Sequence, residues 1–378
     1  MKVAIVHDYL NEFGGAERVV LAMSAIWPDA PIYTSFYKKG SPAWERFKDK
    51  DVRVSWVHYI PFFATFLHSP LRFLAPLIWN SWDFSAYDVV ITSSGWYVTK
   101  GIRKGPKTVE ICYCHTPPRW LYGYKTSIEF QKYWPVRVYA AIVGHFMRMY
   151  DFWAAQRVNY FIANSQNVQA RIEKFYRRES TVIYPPVSLD VRGLSLELSK
   201  KSNVQNLKSN NYFLVISRIV GGKGLDLAVE AALRLGLKLK IAGRPAGYYT
   251  EYKKLAKRAG GKVEFLGYVS DEELVRLHQG AKAFLALATD EDFGMTVVEA
   301  QACGTPVIAY KGGGYLETVI DGKTGMFFDE PNVDALVNTL KQFDSKKWNH
   351  ALIAKHAQKF SKTRFQKEIQ EFVEKHLK

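Results

Sequence analysis

Glu291-Asp292-Phe293-Gly294-Met295-Thr296-Val297-Val298-Glu299, running on through Ala300 to Cys303-Gly304-Thr305-Pro306, is the stretch whose reading decides the fold. Two carboxylates stand eight positions apart around a glycine that opens an apolar helix, and an apolar strand follows. The spacing predicts a helix over roughly Met295 to Ala302 with Gly294 at its first turn. Glycine lets backbone approach a ligand closely, and the leading helical N–H groups have no partners inside the helix. Phe293, Gly294, Met295 and Thr296 therefore offer donors to a diphosphate or to sugar hydroxyls, and the aligned peptide dipoles favour an anion there by roughly 0.3–1 kcal/mol. Glu299 lies about one turn further in, where an acceptor-only carboxylate suits a vicinal diol such as a ribose. Glu291 precedes the helix and is placed to hold a sugar hydroxyl.

A glycosidase pair needs carboxyls about 5–5.5 Å apart for retention or about 6.5–9.5 Å for inversion. Eight residues of helix at about 1.5 Å each span about 12 Å, so Glu291 and Glu299 are poor acid and nucleophile partners. A solvated loop charge and an exposed helix charge remain the plain alternative for an arbitrary pair of this spacing. Phe-Gly between the glutamates and Ala-x-x-x-Gly-x-Pro after them weigh against it.

Outward from this stretch the chain alternates strands and helices. Strands are expected at the N-terminus, where Val3 to Val6 lead into His7 and Asp8, and over 89–92, 109–113, 160–163 and 181–184. After a Ser, Lys and Asn-rich segment over 191–211, expected to be an exposed linker, the pattern recurs with strands at 212–217, 238–242, 263–266, 283–287 and 306–310. Helices are expected from near Ala16 and over Leu225 to Leu235. Such alternation implies an α/β protein with doubly wound parallel sheets. A length of 378 residues with 48% hydrophobic content suits two cores.

Composition narrows the function. Three cysteines form no C-x-x-C pair, which speaks against structural zinc and disulfides and for a reducing cytoplasm. The opening apolar run is too short for a signal-peptide core, and no run of 18 apolar residues suggests a membrane span. The net charge of +16 calls for acidic partners, yet it is shared by both halves of the chain, unlike a basic nucleic-acid arm.

Ser217-Arg218-Ile219-Val220-Gly221-Gly222-Lys223-Gly224 follows the first strand of the second half, where phosphate loops occur, although without P-loop spacing. Arg218 and Lys223 on a glycine-rich turn suit two adjacent phosphates. Gly14-Gly15 opens a helix and offers backbone N–H groups to a phosphate, or forms only a tight turn. His115 ends a strand before Thr116-Pro117-Pro118-Arg119, at the strand end where α/β ligands bind. Trp56 to Trp82 is aromatic and free of acids from Val52 to Ser81, and Arg119 to Arg157 adds more aromatics and cations. Both regions suit either a core or a lipid interface.

These motifs resemble the retaining glycosyltransferases of family 4, and nearly the whole chain takes part. The resemblance implies the GT-B fold: two Rossmann-like domains facing a central cleft, the first over residues 1–195 and binding the acceptor, the second over 207–361 and binding the nucleotide-sugar donor. A crossover helix over 362–378 would return to the first domain. It casts Arg218 and Lys223, after Ser217, as the donor-diphosphate cations, Glu291 and Glu299 as sugar and ribose ligands, and Val269 as a backbone contact to the base. Gly14 and Gly15 would close over the diphosphate, and His115 would lie beside the transferred sugar as electrostatic support. No cofactor and no metal are expected, since Arg218 and Lys223 neutralise the leaving diphosphate. His7-Asp8-Tyr9-Leu10 and Gly14-Gly15-Ala16-Glu17-Arg18 are similar to bacterial mannosyltransferases of O-antigen and exopolysaccharide assembly, which implies GDP-mannose, a glycan or lipid-linked acceptor, and a peripheral place at the inner face of the cell membrane. A sugar-nucleotide epimerase of the same fold, a non-catalytic sugar-nucleotide binder and a polyanion binder are the competing functions.

Overall fold

The computed structural model describes residues 1–124, 133–187, 211–244 and 251–377. They form two compact units. One comprises the described residues up to Pro186 together with the final helix, and the other those from Val187 to Ser361. The expected linker over 191–211 lies almost wholly outside the described residues.

The first unit is built on seven strands: β1 Val3–His7, β2 Ile32–Thr34, β3 Val52–Val54, β4 Val89–Ser94, β5 Val109–Cys114, β6 Tyr160–Ala163 and β7 Thr181–Val182. Their order in the sheet is β3-β2-β1-β4-β5-β6-β7, and every pairing is parallel. Parallel sheets are covered on both faces, so their strands read as unbroken apolar runs. Val3 to His7 are buried without exception.

The final helix, Lys362–Lys375, completes this unit. Its Phe365, Ile369 and Val373 are fully buried in one cluster with Ile5, Val19 and Ile91. Gln366 donates to the Ala22 carbonyl at 3.0 Å, and Arg364 donates to the Tyr184 carbonyl at 2.7 Å. The i, i+4, i+8 spacing of its apolar residues is what permits a single buried stripe.

The second unit carries β8 Tyr212–Ile216, β9 Lys238–Ala242, β10 Val263–Gly267, β11 Ala283–Ala286, β12 Val307–Tyr310 and β13 Gly325–Phe328. The order is β10-β9-β8-β11-β12-β13, again parallel throughout. The helices Leu225–Leu235 and Met295–Ala302 have the bounds their periodicity predicts.

Three strands escaped the sequence reading: β2, β3 and β13. The first two hold three residues each, and β13 begins on a glycine. The expected strand over 181–184 shrinks to Thr181–Val182, and Pro185 and Pro186 beyond it have no N–H to extend a ladder. The three cysteines are free thiols.

Candidate functional site

In each sheet the strand order reverses once. In the second unit β8 has β9 on one side and β11 on the other, so the loops after β8 and β11 leave in opposite directions around a crevice. Open α/β sheets bind ligands at that point, outside the carboxyl ends of the strands.

Both loops carry predicted site residues. From the loop after β8, Lys223 Nζ reaches Glu291 Oε2 in the loop after β11, at 2.8 Å. Lys223 and Glu291 are each partly exposed, 32% and 23% of their side chains. Gly224 makes this approach possible: at φ +68° it lies so near Leu287 that an added Cβ would stand 2.6 Å from the Leu287 Cβ. Ser217 and Arg218 begin the same loop, and Arg218 is exposed.

Glu291 leads into Phe293, which is buried, and Gly294, whose φ of +92° turns the chain into the helix Met295–Ala302. No side chain caps this helix, and the Gly294 carbonyl accepts from the Val297 N–H at 3.0 Å. Met295, Thr296 and Glu299 are half-buried on it. Only the second half of the Glu291–Glu299 interval is helical.

Gly312-Gly313-Gly314 is a backbone buttress for the segment from Glu291 to Gly294. Gly314 donates its N–H to the Glu291 carbonyl at 2.9 Å. A Cβ on Gly313 would stand 2.4 Å from the Glu291 carbonyl oxygen, and one on Gly314 2.3 Å from the Phe293 Cα. The Tyr315 ring lies against Gly294.

Val269 follows β10, half-buried beside the exposed Tyr268. The Arg244 guanidinium, after β9, stands over the Tyr268 ring at 4.4 Å. Neither Arg244 nor Tyr268 was singled out from the sequence, because their meeting depends on the β9–β10 pairing. Asp290 and Asp292 flank Glu291 with the spacing of a metal-binding pair. Among the described residues no group of three or more His, Cys, Asp or Glu gathers to hold a metal ion.

In the first unit the order reverses between β1 and β4. Asp8, just past β1, is buried and accepts N–H bonds from Gly95 (3.1 Å) and Trp96 and the Thr99 hydroxyl, which ties the loop after β4 to β1. Burial raises its pKa, against the favourable field of His7 and those hydrogen bonds. His115, just past β5, places Nε2 at 2.8 Å from Ser93 Oγ, and Ser93 Oγ lies 3.0 Å from His7 Nδ1. Desolvation, with a smaller contribution from His7, pushes the His115 pKa down to about 3. Its ring keeps some solvent exposure, but it is neutral at physiological pH.

Gly14 and Gly15 are exposed at the start of the helix Gly15–Ser24. The Gly14 N–H donates to Glu17 Oε2 at 2.8 Å, so this expected phosphate donor already serves as half of a helix cap. His7, Ser93 and Glu17, which the structure brings beside His115 and Gly14, were not singled out from the sequence, although His7 and Glu17 lie in the His-Asp and Gly-Gly-Ala-Glu patterns.

Residues 13–191 match the family model for glycosyltransferase family 4, and residues 198–364 that for glycosyl transferases group 1. The chain is 31% identical over 173 residues to a D-inositol 3-phosphate glycosyltransferase of Mycolicibacterium smegmatis, covering 44% of this chain and only 40% of that protein's length. It is 23% identical over 403 residues to the alpha-1,3/1,6-mannosyltransferase ALG2 of Candida glabrata, covering 93% and 84%. Among solved structures, Anabaena Alr3699/HepE in complex with UDP and glucose aligns with a TM-score of 0.70 at 20% identity, over 99% of both chains. That likeness establishes the GT-B fold.

Proposed function

The chain belongs to the glycosyltransferases of group 1 and family 4, and from that premise we propose that it moves a hexosyl group from a nucleoside-diphosphate sugar to a hydroxyl of a glycan or lipid-linked acceptor, with retention. The observation that carries this reading is the Lys223–Glu291 pair at the strand-order reversal of the second unit, beside the uncapped helix after Gly294. A diphosphate is a stronger partner for Lys223 than one carboxylate. On its arrival Glu291 would be released to accept from sugar hydroxyls, while Arg218 and the Met295 and Thr296 N–H groups add donors to the phosphates. Glu299 then holds the ribose, and Val269, Tyr268 and Arg244 border the base.

Departure breaks the bond between the anomeric carbon and the phosphate oxygen, and the acceptor oxygen bonds to that carbon on the same face. The leaving diphosphate takes the acceptor proton. Arg218, Lys223 and the helix N-terminus stabilise the charge that develops on it, an electrostatic contribution of the kind that dominates many enzymes. With two cations in that role the reaction needs no metal. Neutral His115 accepts or donates one hydrogen bond at a sugar hydroxyl.

The relatives point to different sugars: glucose and UDP bound to HepE, mannose in the name of ALG2. We favour GDP-mannose, for the N-terminal pattern from His7 to Arg18. The test is thermal unfolding with GDP, UDP, ADP, TDP and CMP, with and without magnesium; a ligand at about 100 times its Kd adds roughly 2.7 kcal/mol to the folded state. Stabilisation by GDP without magnesium supports the reading, stabilisation by UDP replaces the donor, and no stabilisation by any overturns it.

An anionic membrane surface is the proposed neighbour of the acceptor. What supports it is the long helix Trp134–Arg157, whose Trp134, Val138, Ile142, Phe146, Met149 and Trp153 recur every three or four positions and are all exposed, Phe146 by 64%. Exposed Tyr59, Phe62, Phe66 and Leu77 belong to the same unit, and Tyr139 of the helix donates to the Pro70 carbonyl. Arg137 and Arg148 are exposed on the same helix. Aromatic rings among cations suit lipid headgroups. No helix among the described residues is long and apolar enough to cross a membrane.

A further inference from the structure

The polar groups of the first unit form a chain that ends at His115 and begins at a residue the transfer reaction does not otherwise use. Glu17 Oε2 accepts the Gly14 N–H at 2.8 Å, and its other oxygen, Oε1, lies 3.6 Å from His7 Nε2. His7 Nδ1 lies 3.0 Å from Ser93 Oγ, and Ser93 Oγ lies 2.8 Å from His115 Nε2. His7 and Ser93 are buried, and Glu17 nearly so. Tyr113 stacks edge-on to His115, and Asn164 holds its carbonyl at 2.9 Å, which fixes the ring's position.

A neutral imidazole has one N–H and one lone pair, and a serine hydroxyl has one proton to give. A carboxylate only accepts. Glu17 Oε1, at 3.6 Å from His7 Nε2, is too far for a hydrogen bond, but its negative charge favours the proton of a neutral His7 on Nε2, which leaves Nδ1 as an acceptor. The Ser93 hydroxyl must then donate to His7, which leaves Ser93 Oγ to accept from His115 Nε2–H. For a neutral His7, the orientation of the other protons follows from that one preference.

We propose that Glu17 is a positioning residue that acts through His7 and Ser93 to hold His115 as its Nε2–H tautomer, so that His115 Nδ1 presents a lone pair to a sugar hydroxyl. This rests on the proposed transfer for its purpose, but not for its test. A carboxylate that orients a histidine by a direct hydrogen bond is a familiar device in metal and acyl-transfer sites; here a second histidine and a serine stand between them.

The experiment is two-bond 1H–15N correlation on the full chain with labelled histidine, His115 being assigned by its disappearance in His115→Gln. The expected result is a protonated Nε2 and an unprotonated Nδ1 on His115 in the wild type. Glu17→Met should move the His115 signals towards mixed tautomers and lower kcat about tenfold with donor affinity unchanged. Should Glu17→Met not fold for want of its helix cap, Ser93→Ala breaks the chain without touching that helix and must show the same two changes. A protonated Nδ1 on His115 in the wild type, the state that a doubly protonated His7 would impose, overturns the proposal, as does a His115 tautomer indifferent to Glu17→Met or Ser93→Ala. If instead the tautomer responds while His115 substitutions leave transfer intact, the relay stands and the assigned role of His115 falls.

Discussion

The ammonium of Lys223 and the carboxylate of Glu291, 68 positions apart in the chain, meet at 2.8 Å across the carboxyl ends of two neighbouring strands. Both are partly exposed, so the pair contributes little net stability, about 0–1 kcal/mol. That makes it easy to exchange. A diphosphate can displace Glu291 at small cost and gain a cation already held in place.

Lys223→Ala should therefore weaken binding of the nucleoside diphosphate by roughly 10- to 100-fold, the loss of a charged hydrogen bond worth about 1.5–3 kcal/mol. Glu291→Gln should leave that affinity equal or tighter, since Lys223 loses its competitor, while transfer falls. Titration calorimetry decides it: unchanged affinity in Lys223→Ala removes the diphosphate assignment.

His115→Ala should depress sugar transfer at least tenfold with nucleotide affinity unchanged. With its pKa lowered to about 3, His115 stays neutral between pH 5 and 8 and contributes no inflection to kcat over that range. A kcat inflection near pH 6.5 that vanishes in His115→Ala would contradict this.

His278 makes a prediction about stability. It is buried beside Phe284 with neither ring nitrogen hydrogen-bonded, and desolvation lowers its pKa to about 3. An unfolded histidine titrates near 6.5. Between these values the unfolded chain binds the extra proton, so stability is complete above about pH 6.5 and declines as pH falls, by roughly 1.4 kcal/mol per pH unit for one such group. His278→Leu should flatten the pH dependence of urea denaturation below pH 6; an unaltered slope would remove the assignment.

Gly313→Ala tests the buttress. The residue has φ +56°, and its new Cβ would meet the Glu291 carbonyl oxygen. We expect a loss of about 2–3 kcal/mol in stability together with weaker donor binding, read by denaturation and calorimetry. Gly261→Ala, with nothing near its Cβ and no positive φ, is the control that should do neither.

The exposed stripe predicts sedimentation with vesicles containing anionic lipid and little with neutral ones. Phe146→Glu or Trp153→Glu should cut that binding tenfold or more, since burying one such ring is worth roughly 1.5–3 kcal/mol. Equal binding by wild type and variants would reassign the stripe.

Much of the fold was legible in local pattern. Tyr212 to Ile216 and Val307 to Tyr310 are apolar runs of strand length, and Leu225 to Leu235 and Met295 to Ala302 have helical periodicity closed by Gly236 and Gly304, both at positive φ. β2 and β3 were not legible because three residues carry too little pattern to separate a strand from a loop. The aromatic stretch from Trp56 to Trp82 could not be sorted by composition. Val57, Phe63, Ile78 and Trp79 proved to be core, and Tyr59, Phe62 and Phe66 surface.

The sequence by itself determined that this is an α/β chain of alternating parallel units with a glycine-opened helix between two glutamates, because backbone preference and hydrophobic period are properties of near neighbours. Tertiary structure alone decided that Lys223 faces Glu291, that Gly312 to Gly314 support the segment from Glu291 to Gly294, and that Glu17, His7, Ser93 and His115 stand in line. Each of those relations brings together residues at or beyond the carboxyl ends of different strands, and which strand ends become neighbours is set by the order of strands in the sheet, a long-range outcome of packing that no local pattern encodes.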